Sequence, residues 1–116
     1  MAQERALRFN ELIKKELGKI ISNFLDVEPG VLVTVTRVST NPNLFTADVF
    51  VSVYPPSGAE KILEKLNRSI YQIQQSLNKK MEVRPVPKIS FKYDANPEAA
   101  GEVEKLLEEI KKENRE

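Results

Sequence analysis

The groups available for chemistry in this chain are guanidinium, ammonium and amide donors, with little else. Histidine and cysteine are absent from the 116 residues. That removes the commonest general base and metal ligand, thiol catalysis, disulfides and thiolate zinc sites. The four glycines, Gly18, Gly30, Gly58 and Gly101, are isolated from one another, so there is no glycine-rich phosphate loop. No serine lies in a Gly-x-Ser-x-Gly setting. Carboxylates adjoin at Asp26 and Glu28, flanking a turn, and at Glu102 and Glu104, on an exposed helical stretch; neither pair forms a converging acid–base site. The chain reads as a binding protein and not an enzyme, with no cofactor and no metal.

The cations are not scattered evenly. At about 100° per residue, Arg5, Arg8, Lys15 and Lys19 fall together on one side of a first helix. Further along, Lys61, Lys65, Arg68, Gln72, Gln75 and Lys79 form a stripe more than five turns long without a carboxylate. A helix that needs only solubility mixes signs at spacings of three and four to gain ion pairs. A one-sign stripe can equally be a row of phosphate contacts. Arg84, Lys88 and Lys92 add charge beyond it, and Tyr71 flanks it, able to stack on a base or to pack against a neighbour.

These side chains need a scaffold, and the apolar pattern supplies one. Phe9, Ile13, Leu17, Ile20, Ile21 and Phe24 share one face of a helix expected from about Gln3 to Leu25. Asp26-Val27-Glu28-Pro29-Gly30 ends it. Two β-branched runs, Val31–Ser39 and Phe45–Tyr54, flank Thr40-Asn41-Pro42-Asn43-Leu44 and predict a hairpin. In the second run Ala47, Val49, Val51 and Val53 alternate with Asp48, Phe50, Ser52 and Tyr54, so one face is buried and the other open. Pro55-Pro56 stops the strand, and Ser57 to Glu60 fits a capping box for a helix burying Ile62, Leu63, Leu66, Ile70, Ile73 and Leu77. A third strand, Lys88–Tyr93, follows Pro85 and Pro87, which suit an edge position. Asn96 caps a last helix marked by Val103, Leu106, Leu107 and Ile110. The order α-β-β-α-β-α, with helices on one face of a three-stranded sheet, is an α+β two-layer sandwich. A single domain over residues 1–111 is expected, with a frayed charged tail over 112–116.

The net charge of +1 hides an asymmetry. Residues 1–93 carry 14 Lys+Arg against 9 Asp+Glu, whereas residues 94–116 carry 4 against 8. A basic body with an acidic end is compatible with a polyanionic partner, and also with a plain solvated surface. The charged start of the chain is no secretory signal core, and no run nears the ~18 apolar residues of a membrane span. A cytoplasmic protein without a membrane partner is expected.

Four stretches in sequence carry a resemblance: Leu12-Ile13-Lys14-Lys15-Glu16-Leu17; the hairpin Val33-Thr34-Val35-Thr36-Arg37-Val38 with Ala47-Asp48-Val49-Phe50-Val51-Ser52-Val53; Leu66-Asn67-Arg68; and Val86-Pro87-Lys88-Ile89-Ser90-Phe91. Their order and spacing, from roughly Arg5 to Asp94, resemble bacterial ribosome-binding factor A. The resemblance implies a type II KH-like fold whose second helical region is kinked. KH domains commonly grip single strands with a Gly-x-x-Gly loop; that family has an Ala-x-Gly kink instead, and at the matching positions this chain has Ser69-Ile70-Tyr71. The lost glycine removes the freest hinge, leaving a straighter helix or a kink at Ser69 made by its hydroxyl.

The implied function is that of a monomeric assembly factor that binds the maturing small ribosomal subunit and its ribosomal RNA, supports processing of the RNA 5′ end, and matters most in the cold. The expected phosphate contacts are Arg5, Arg8, Lys15, Lys19, Arg37 near the hairpin turn, Arg68, Lys79, Lys80, Arg84 and Lys88. Asn67, Ser69 and Tyr71 are placed to touch sugar or base at the kink. The competing readings are a protein-interaction module docking on the Phe50 and Tyr54 face, and a KH-like RNA binder unconnected to ribosomes.

Overall fold

In the computed structural model, which describes residues 2–82 and 84–95, the first helix, α1, runs Ala2–Phe24. Ala6, Phe9, Ile13, Leu17, Ile20 and Ile21 are buried along it, as a 3.6-residue period requires. Phe24 departs from the expected face: at the last residue of the helix it is 41% exposed. The main-chain bond from Leu25 N–H to the Ile21 carbonyl closes the helix, and Gly30, at φ +89°, makes the turn into the sheet.

Strand β1 (Leu32–Thr40) pairs antiparallel with β2 (Thr46–Tyr54), and β2 pairs parallel with β3 (Lys88–Tyr93), giving the order β1-β2-β3. The connecting turn is built from Asx bonds: Asn41 Oδ1 accepts from Asn43 N–H at 3.2 Å, and Asn43 Oδ1 accepts from Phe45 N–H at 2.8 Å. Ala47, Val49, Val51 and Val53 face the helices and are buried, as the alternation predicts. The register slips between Val35 and Arg37, so Thr36 is an extra, bulged residue opposite β2. The bulge returns Val38 and Thr40 to the buried side and leaves Arg37 on the other.

After β2 a short 3-10 turn, Pro56–Gly58, leads into α2 (Ala59–Arg68). The expected capping box does not form. Gly58 N–H bonds the Pro55 carbonyl at 3.0 Å, so Ser57 is already inside a helical turn. It cannot then take the extended conformation an N-cap needs, and Gly58 caps α2 without a side-chain bond.

The second helical region breaks at Ser69, with φ −99° and ψ 9°, and resumes as α3 (Ile70–Lys80). Ser69 N–H still donates to the Lys65 carbonyl at 3.2 Å, and Ile73 N–H donates to the Ser69 carbonyl at 2.9 Å. The kink is therefore a main-chain feature, and Ser69 caps α3 without a side-chain bond. Leu66, Ile73 and Leu77 from the two arms are fully buried with Ile13 and Leu17 of α1 over Val49 and Val51 of β2. Each buried large aliphatic side chain of this seam contributes about 1.5–3 kcal/mol to the fold. The helix expected from Asn96 to Ile110, and the tail after it, lie outside the described residues.

Both sheet edges end against a helix amide. At the β1 edge, Thr40 N–H donates to Asn10 Oδ1 at 2.7 Å. At the β3 edge, Gln74 Oε1 accepts from Ile89 N–H at 2.9 Å, while its Nε2 donates to the Pro87 carbonyl at 3.1 Å and to Asn78 Oδ1 at 3.0 Å. These bonds fix α1 and α3 on the sheet by polar groups as well as apolar ones.

Candidate nucleic-acid interface

The topology sorts the candidate cations by position. Asn10 lies at Thr40, so the start of α1 is at the hairpin-turn end of the sheet. Lys88 N–H donates to the Phe45 carbonyl at 2.9 Å, which brings the segment after α3 to the same end. Arg5 and Arg8 of α1 therefore share an end with Lys79, Lys80, Arg84 and Lys88, and all six are exposed. Arg84 is held there by an Nη2 bond to the Asn78 carbonyl at 3.3 Å.

The other end gathers the kink. Lys65 Nζ lies 3.5 Å from the Asp26 carbonyl, just past the end of α1. Asn67, Arg68 and Tyr71 are exposed around the break, with Ser69 half-buried at its centre. Tyr71 is 73% exposed in the first turn of α3. Lys15 and Lys19 are exposed on the side of α1 away from its core face. Lys15 also walls a groove of about 380 Å³ between α1 and β1.

Two expectations need revision. The stripe is bordered by a carboxylate: Glu64 Oε2 lies 3.7 Å from Arg68 Nη2, one helical turn away. An exposed pair of this kind contributes roughly 0–1 kcal/mol and is easily exchanged for a phosphate. Arg37 stands mid-strand and not by the turn; it is half-buried on the sheet face opposite the helices, with its guanidinium 4.1 Å from the centre of the Phe50 ring. The sheet itself separates it from the cations of the helices, whereas Lys88 shares its face through β3; the bulge at Thr36 sets that face, and no local pattern reveals a bulge. Lys92, the register partner of Phe50 on the opposite side, completes that cationic group.

The surface so described offers cations, amides and the exposed Tyr71 ring on the helical side, a set suited to phosphate and base contact. The family model for ribosome-binding factor A matches residues 5–107. Ribosome-binding factor A of Clostridium botulinum is 34% identical over 113 residues, covering 96% of this chain and 94% of that one. The crystal structure of Thermus thermophilus ribosome-binding factor A superposes with a TM-score of 0.65 at 21% identity, over 76% of this chain and 94% of that one. A homology model of the Thermus thermophilus protein, fitted into an electron cryo-microscopy map of its 30S complex, gives 0.59 at 24% identity, over 72% and 88%. The family model spans both helical arms, the kink and all three strands, and with that extent of match the chain belongs to the ribosome-binding factor A family.

Proposed function

We propose that the protein is a non-enzymatic assembly factor that binds the maturing small ribosomal subunit through its ribosomal RNA, supports maturation of the RNA 5′ end, and is needed most in the cold. The observation that carries this reading is the gathering of exposed cations on the helices and at the hairpin-turn end of the sheet, where six of them lie. Family membership supports it, as does the 30S complex of the Thermus thermophilus relative. In this reading Arg5, Arg8, Lys15, Lys19, Arg68, Lys79, Lys80, Arg84 and Lys88 contact phosphates, and Asn67, Ser69 and Tyr71 contact sugar or base at the break. Binding releases counterions, so affinity falls with salt in proportion to the phosphates neutralised.

The test is charge reversal of Arg68 and Lys79 to Glu. Each lost phosphate contact lowers the slope of log K against log salt by about one. An unchanged affinity and slope would remove these two residues from the interface.

A further inference from the structure

The sheet face opposite the helices carries a second group of residues that the helical interface does not use. In register across the three strands stand Arg37 of β1, Phe50 of β2 and Lys92 of β3. The Arg37 guanidinium covers the Phe50 ring at 4.1 Å, so its outer surface, and not the bare ring, meets an incoming molecule. Four residues along β2, about 13 Å at ~3.3 Å per residue, Tyr54 is 69% exposed on the same face beside its partner Leu32. Among the described residues, the two carboxylates on this face are both engaged sideways. Asp48 Oδ1 accepts from Ser90 Oγ at 3.0 Å, and Asp94 Oδ2 accepts from Thr36 Oγ1 at 2.7 Å.

We infer that this open sheet face is a second RNA site, which binds unpaired nucleotides by stacking. One base stacks on the Arg37–Phe50 pair and another on Tyr54, with Lys92, level with Phe50 on β3, placed for the phosphate beside the first. A guanidinium plane and an aromatic ring are the two surfaces on which unpaired bases stack, and a sheet bearing both can hold two or three bases. The charge on top decides against an apolar protein partner. Such a partner would have to desolvate Arg37 and Lys92, whereas a nucleotide offers each a phosphate or a π-face. The inference rests on the proposed function only for the class of ligand; the face, residues and binding mode are separate from the helical surface.

The experiment measures binding of the full chain to a fluorescent, mixed-sequence single-stranded RNA of about eight nucleotides, within the usual range of single-strand site sizes. Phe50→Leu keeps the apolar bulk and removes the ring, Arg37→Lys keeps the charge and removes the plane, and Tyr54→Ser alters only an exposed side chain. Each is expected to weaken binding about 5-fold or more. A photoactivatable thiouridine in the same RNA is expected to cross-link to β2 or β3. Parent-like affinity in both Arg37→Lys and Tyr54→Ser would overturn the inference, as would failure of the parent chain to bind the RNA. Self-association lost in Tyr54→Ser would assign the face to a second copy and overturn it too. If the parent binds the RNA through these residues yet ignores small subunits, the stacking site stands and the ribosomal assignment falls.

Discussion

Two amides outside the hydrophobic pattern do much to hold the layers in register. Asn10 takes the outward N–H of Thr40, and Thr40 is nearly fully buried, so no water stands ready to replace the lost acceptor. Asn10→Ala should cost about 1–3 kcal/mol, the penalty of an unpaired buried donor, read as a lower urea midpoint at unchanged m-value. Gln74→Ala should cost at least as much, since one side chain there serves Ile89, Pro87 and Asn78. Tyr71 is the opposite case. It is 73% exposed, so Tyr71→Ala should move stability by less than about 0.5 kcal/mol while weakening association with ribosomal RNA; equal affinity for parent and variant would remove Tyr71 from the interface.

At the scale of elements, the break between α2 and α3 is the feature that shapes the candidate interface. Its bonds are main-chain bonds, from Ser69 N–H to Lys65 and from Ile73 N–H to Ser69. Ser69→Ala should therefore keep the kink and change stability by less than about 0.5 kcal/mol, with the helical signal in circular dichroism unchanged. A shift well beyond that would mean that the hydroxyl holds the bend. Much of this architecture was legible in the chain. The apolar faces of α1 and α2, the hairpin and the edge placement of β3 follow from periods of 3.6 and 2 and from the positions of Pro85 and Pro87. The failed capping box had a local cause: Pro55 and Pro56 start a 3-10 turn one residue too early for Ser57 to cap. The position of Arg37 had a non-local one. A one-residue bulge at Thr36 reassigns every side chain after it to the other face, and only pairing with β2 reveals it. The partners of Asn10 and Gln74 lie thirty and fifteen residues away in sequence, beyond the reach of any helical or strand period.

The cations of the described residues divide between two faces of one sheet. The helical layer holds cations at both ends, with the uncharged Gln72 and Gln75 between them, and the open face adds Arg37, Lys88 and Lys92. A surface of this kind binds a polyanion at many weak points, so affinity should fall steeply with salt and no single substitution should abolish it. The core under that surface tolerates less. Leu17→Ala or Leu66→Ala, both at fully buried positions, should cost about 2–5 kcal/mol and weaken association only through the folded fraction. In the proposed function the cations of the helices and of the hairpin-turn end seat this chain on the small ribosomal subunit. The most direct test is co-sedimentation of the full chain with isolated small and large subunits at two salt concentrations. Association with small subunits alone, lost at the higher salt, is the result predicted; no association with small subunits at low salt, or equal association with large ones, would contradict it.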